Sequence, residues 1–275
     1  MYLYSASTHA LGGVFRRPSA QSIESQAACS LPIAGGRSSN TAKDFNLHGV
    51  SFRSAYSEVI GSPYIKGKTT LHTTRVSCIL EGVNILNMVT ADKIVSILAS
   101  QHDPTTDDEP SIVTTGSHFE NLRIAGHPVE IQEFAHDIFH EFDTYKKLQE
   151  GFRDTKRKAD LLGCMMGSKL TTKGDDAKHL HEVEESYSRH ADKKATKLQT
   201  TVLCSMVKQI KPLPSSEIRV HGPVVVIPHF GTVYLGEVLI KHGMRRTSML
   251  RLELGSPLEA SMSLPDGHSN GSGLP

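Results

Sequence analysis

The chain has no tryptophan, and aromatic residues make up only 6% of its 275 positions. That weakens any reading that needs stacking platforms for bases or sugars. Its four cysteines, Cys29, Cys78, Cys164 and Cys204, are far apart and include no C-x-x-C pair. A zinc ribbon and a thioredoxin-type redox pair are therefore absent, and the thiols read as small buried hydrophobes. Net charge is also missing. Thirty basic against twenty-nine acidic side chains leave +1, with no concentrated basic face for nucleic acid or anionic lipid. No apolar run has the length of a signal peptide core or of a membrane span. A cytoplasmic location is the default expectation, with leaderless export the alternative.

Catalytic signatures are equally scarce. There is no G-x-S-x-G elbow, and no histidine stands beside Cys78, Cys164 or Cys204. The stretch from Gly61 to Thr69 approaches a P-loop, but five residues instead of four separate Gly61 from Gly67. The extra residue spoils the curl that aims backbone amides at phosphates, so a hairpin loop is expected there.

What the chain does contain is strand-forming sequence. Residues 71–131 carry dense β-branched runs punctuated by glycine, proline and acidic turns. Residues 71–82 and 83–100 read as two long strands divided near Glu81-Gly82, and residues 111–115 and 118–131 as further strands with a tight turn at Ala125-Gly126-His127-Pro128. Between them, Asp103, Asp107, Asp108 and Glu109 crowd into a loop over residues 101–110 that also holds Pro104 and Pro110. It lacks the glycine and terminal glutamate of a calcium-binding EF-hand. Residues 44–61 alternate as an edge or partly solvated strand, and the first 39 residues read as two strands with turns at Gly12-Gly13 and Gly35-Gly36.

Helical periodicity begins at Ile138. Ile138, Phe139, Phe142, Tyr145, Leu148, Gln149 and Phe152 fall on one stripe, and charged residues cover the opposite side. One amphipathic helix follows from this, with Asp137 at its start. Residues 153–198 are densely charged and poor in apolar side chains, which predicts a partly helical or disordered insertion. Strands resume at residue 200, and in the last of them Met249, Arg251 and Glu253 alternate with Leu250, Leu252 and Leu254. Residues 256–275 are rich in Ser, Gly, Pro and Asn and read as a flexible tail.

These elements specify a mainly β fold, an antiparallel β-sandwich or flattened barrel of ten or so strands with one amphipathic helix and a charged insertion. Residues 1–152 and 199–255 form its single domain. Histidine is the one abundant chemical resource, at fifteen residues. His136 and His140 stand one helical turn apart, as two ligands of a metal would, and His118 and His127 are the strand candidates to complete a site. The zinc-protease pattern requires glutamate directly after the first histidine, where this chain has Asp137. No catalytic residue and no cofactor is therefore assigned.

The series Glu81-Gly82-Val83-Asn84-Ile85-Leu86, Val89-Thr90-Ala91-Asp92-Lys93-Ile94 and His118-Phe119-Glu120-Asn121-Leu122-Arg123-Ile124-Ala125-Gly126-His127-Pro128-Val129 resembles that of a group of bacterial β-rich proteins of unassigned function. Shorter forms of it are similar to secreted choice-of-anchor proteins. The resemblance implies a β fold and carries no activity onto particular residues. The leading expectation is a non-enzymatic binding or self-assembly protein, whose partner is a second copy joined through strand edges or another protein. A metal-dependent enzyme built on the histidines is the first alternative. A small-ligand carrier with a cavity beside the apolar run 224–227 is the second.

Overall fold

The computed structural model describes residues 2–106, 108–154, 157, 161, 201–255 and 259–273. The first strands are β1 (Tyr2–His9), β2 (Leu11–Phe15), β3 (Gln21–Gln26), β4 (Cys29–Ser30), β5 (Gly36–Leu47), β6 (Val50–Lys66), β7 (Thr69–Ile85) and β8 (Val89–His102). Short strands β9 (Ser111–Val113), β10 (His118–Glu120), β11 (Arg123–Ile124), β12 (His127–Pro128) and β13 (Ile131–Phe134) lead to helices α1 (His136–Glu141) and α2 (Tyr145–Arg153). The chain finishes with β14 (Thr201–Ser205), β15 (Val207–Ile210), β16 (Arg219–His221), β17 (Val224–Ile227), β18 (Gly231–Lys241), β19 (Met244–Leu254) and β20 (Ala260–Gly273).

Every strand pairing is antiparallel. Sheet A runs β16-β17-β18-β19-β20-β1-β4, with β14 beside β18 and the β2–β3 hairpin beside β20. Sheet B runs β12-β11-β8-β7-β6-β5, with β9 and β10 also on β8, and β13 pairs with β15 alone. The sheets face each other as a sandwich and do not close into a barrel. Between them lie side chains such as Leu80, Ile85, Ile94, Leu235, Leu250 and Leu252, all with no exposed surface. Each such aliphatic side chain contributes about 1.5–3 kcal/mol through removal from water. Small residues let the layers approach. A Cβ added at Gly267 would lie 3.3 Å from Val76 and 3.7 Å from Leu98 across the interface.

Several sequence expectations are corrected. Residues 260–273 are not a flexible tail: β20 fills the middle of sheet A, pairing with β19 on one side and with β1 and β2 on the other. Gly267 serves close packing against Val76, and Ala260, Met262 and Leu264 are buried. Gly12 and Gly13 lie inside β2 and form no turn. A Cβ at Gly13 would come 2.5 Å from the Ser261 carbonyl oxygen, so a close strand approach requires the glycine. The β7–β8 turn falls at Leu86-Asn87, both at positive φ and tied by an Asn84–Asn87 side-chain hydrogen bond of 2.8 Å. Gly82 is instead an irregularity within β7. The stretch 44–61 turns at His48-Gly49, so β6 becomes an interior strand and β5 takes the edge.

The single expected helix is two. Thr144 takes extended dihedrals and its hydroxyl accepts from the Lys147 amide at 3.1 Å, starting α2 anew. The apolar stripe survives the break, since Phe139, Phe142, Tyr145, Leu148 and Phe152 are all buried. The end of α1 leaves carbonyls free, and an inward-facing arginine meets them. Arg245 of β19, 1% exposed, donates to the Phe139 carbonyl at 3.3 Å and to that of Phe142. Of the expected insertion 153–198, only residues 153, 154, 157 and 161 are among those described. Cys164 also lies outside the described residues.

A charge-paired groove on the outer face of sheet A

Strands β18, β19 and β20 change pleat at one common level. Leu235, Leu250 and Leu264 pair across the three strands, as do Glu237, Ser248 and Asp266, while Gly236, Met249 and Pro265 between them are skipped. Gly236 takes a φ of +63° there, and its carbonyl receives the Met206 amide at 2.7 Å. The shared irregularity keeps the registers intact and turns polar residues outward on both sides of the kink. The result is a trough of about 850 Å³. Tyr234, Glu237, Arg246, Ser248, Arg251 and Glu253 form its floor, His9, Gly12 and Ser25 stand on one side, and Leu203 on the other.

Two arginine forks organise the floor. Arg251 grips Glu237 at 2.5 and 3.0 Å, also reaches Glu253, and lies with its guanidinium carbon 3.6 Å from the Tyr234 ring centre. Tyr234 donates to Glu253 at 3.3 Å. Arg246 holds Asp266 through Nε at 3.0 Å and Nη2 at 2.7 Å, and Ser248 donates to the same carboxylate at 2.7 Å. Glu237 and Asp266 are 5% and 4% exposed, so both carboxylates depend on these bidentate partners. Burial opposes the Arg251 charge, but Glu237, Glu253 and Tyr234 outweigh it and raise the guanidinium above its ordinary value. Hydrogen bonding to Asp266 raises Arg246 in the same way. Burial raises the Tyr234 phenol, and burial lowers His9 and His268, each beside Arg246.

The histidines singled out by sequence do not meet in this groove. His136 and His140 share α1 as expected. His136 stacks on Phe134 at 5.0 Å, with a buried Nδ1 lacking a hydrogen-bond partner, and burial lowers its pKa. His140 instead lines a recess with Ser111 and Asp143. His118 is engaged with the Gly116 carbonyl at 2.9 Å and Glu120 at 3.3 Å, and His127 pairs in β12 opposite Ile124. Among the described residues no group of three or more His, Cys, Asp or Glu side chains is placed to hold a metal ion.

Two other histidines do come together. His72 and His102 are direct cross-strand partners on β7 and β8, and Tyr2 stacks on them at 4.1 and 5.3 Å. Tyr4 completes the cluster with a 2.8 Å hydrogen bond between its hydroxyl and His72 Nδ1. Burial lowers both imidazoles and pushes the Tyr2 phenol up to about 12. The expected phosphate-like stretch is the β6–β7 hairpin, turning at Gly67 with a φ of +64°. The run at 224–227 is β17, with Val225 and Ile227 in the main core. Cys78, fully buried, has its thiol pushed up to about 12 by burial, in keeping with a packing role.

Residues 2–241 match a family model described as a domain of unknown function (DUF8256). The chain belongs to that family. No curated protein and no solved structure matches it. The DUF8256 match stops at the last residue of β18, whereas β19 and β20 contribute Arg246, Ser248, Arg251, Glu253 and Asp266 to the groove. The floor is thus shared between the matched segment and the two strands that follow it. Among the described residues no helix is long and apolar enough to cross a membrane.

Proposed function

We propose that this DUF8256 chain is a non-enzymatic binding protein and that its ligand lies in the groove on the outer face of sheet A. The observation that carries this reading is the groove itself: a large concavity over a floor of forked, mutually satisfied charges. Two guanidiniums and three carboxylates already hold one another, so the surface is rigid and polar, with little charge left to attract an ion. Arg251 covers the Tyr234 ring, so stacking is not the mode of recognition. Such a surface suits an extended neutral ligand bearing hydroxyls or amides, read by Ser25, Ser261, Ser263 and the rim of the charge network. The test is a thermal-shift panel of soluble oligosaccharides and neutral peptides on the wild type and on Ser263→Tyr, which fills the trough. A ligand that stabilises the wild type by mass action and leaves Ser263→Tyr unmoved supports the reading. A panel without effect, or equal stabilisation of both proteins, rejects it.

Self-association is the second reading, and the open edge of sheet B favours it. β5 spans twelve residues and among the described residues pairs only with β6. Its free row of amides and carbonyls is a template for strand addition. Light scattering across a concentration series decides this: a species that stays monomeric throughout removes it.

A further inference from the structure

We infer that the tip of the β6–β7 hairpin docks on an anionic lipid bilayer. Beyond the Gly36–Gly61 pair β6 has lost β5, and beyond the His72–His102 pair β7 has lost β8. What remains is a two-stranded ribbon, paired from Tyr64–Leu71 to Lys66–Thr69. It runs on for five residues from His72 to Gly67, or about 16 Å at the usual rise of a strand. Its root is fixed, because Leu71 is 4% exposed and His72 is stacked on Tyr2 and bonded to Tyr4. The tip therefore stands out from the sandwich without being loose.

The tip has the composition of a membrane-contacting surface. Among the described residues the exposed large hydrophobic side chains are Ile33, Tyr64 and Ile65, at 66%, 55% and 72%. Tyr64 and Ile65 are on the tip. Ile33 is at its root, where its carbonyl accepts from Tyr4 and the neighbouring Gly36 pairs with Gly61. Single exposed hydrophobics need no explanation, but two in succession at a projecting end, with a third at its root, do. Lys66 and Lys68 flank the turn, and no carboxylate occurs in the sequence between Glu58 and Glu81. The nearest acidic loop begins at Asp103, back at the level of the ribbon's root, where Asp103 is occupied by Thr105. Lys66 and Lys68 lead at the turn with Tyr64 and Ile65 on the strand just behind them, so cations meet the anionic headgroups and the tyrosine and isoleucine supply the interfacial and apolar contact. The balanced total charge conceals this arrangement because it averages over the whole chain.

The absence of tryptophan makes the test specific, since Ile65→Trp supplies the protein's one indole at the tip. The full chain is mixed with vesicles of phosphatidylcholine alone or with added phosphatidylserine. The expected result is co-sedimentation and a blue shift of the Trp emission only with phosphatidylserine, both weakened by salt. Lys66→Gln and Lys68→Gln each weaken binding about five-fold, and Ile65→Asp abolishes it with the melting temperature unchanged. Equal binding to both vesicle types, no co-sedimentation, or binding that survives Ile65→Asp overturns the inference. So does a concentration-dependent dimer that Ile65→Asp dissolves without lipid, which would assign the tip to a second copy of the chain.

Discussion

Replacing Arg245 tests how a charge is tolerated between the sheets. The guanidinium is 1% exposed, and burial lowers its pKa from 12.5 to about 10, against the opposing pull of Cys204, Asp143 and Glu109. At roughly 1.4 kcal/mol per pKa unit, the charged form is held about 3 kcal/mol less favourably inside than in the unfolded chain. Arg245→Met removes that penalty and fills similar volume, but strands the carbonyls of Phe139 and Phe142, each a loss of about 1–3 kcal/mol. The balance is a net destabilisation of about 1 kcal/mol. Arg245→Ala leaves the same carbonyls and adds a cavity, for a further loss of about 2–4 kcal/mol. Equilibrium urea unfolding followed by circular dichroism measures both. A loss above about 4 kcal/mol for Arg245→Met refutes the reasoning, because the buried charge would then be a net attraction towards Asp143 and Glu109.

Gly13→Ala forces a Cβ to 2.5 Å from the Ser261 carbonyl oxygen and is expected to cost about 3 kcal/mol, whereas Gly267→Ala meets nothing nearer than 3.3 Å and stays within about 1 kcal/mol of the wild type; thermal melts separate them. Acid weakens the fold, because His9, His72, His102, His136 and His268 all have lowered pKa values in the folded state. Their contribution is complete above the unfolded value of 6.5 and is lost as pH falls through the lower folded values, so the urea midpoint should decline from about pH 6.5 downward and not above it. A chain ending at Gly255 lacks β20, leaving β19, β1 and β2 without their shared partner; its melt should lose cooperativity, and a sharp transition would contradict the topology.

Local alternation made much of the sandwich legible. Leu250, Leu252 and Leu254 point inward and Arg251 and Glu253 outward, as period two requires, while Met249, expected on the face of Arg251, is skipped at the kink and fully buried. Errors arose where one residue type has two uses. Gly82 and Gly12-Gly13 read as turns, yet these glycines serve an irregularity and a close approach within strands. The apolar stripe from Phe139 to Phe152 carried no mark of the break, which depends on Thr144 capping α2. In β20 the alternation of Ala260, Met262 and Leu264 was outweighed by a composition typical of linkers. The groove was invisible for a different reason. Glu237, Arg251 and Asp266 are ordinary strand-face residues until long-range register sets them side by side, whereas the histidines were conspicuous in sequence and dispersed in space.

The place of β20 also fixes when this molecule can become itself. Tyr2 pairs with Gly273 and His9 with Asp266, so β1 waits for a partner more than 250 residues further along the chain. As the chain leaves the ribosome, β1 and β19 each present a bare edge for the slot that β20 will occupy, and sheet A stays split in two until residue 273 has emerged. Completion of sheet A is therefore a late step of high contact order, and the interval before it is the period in which two nascent copies can exchange strands.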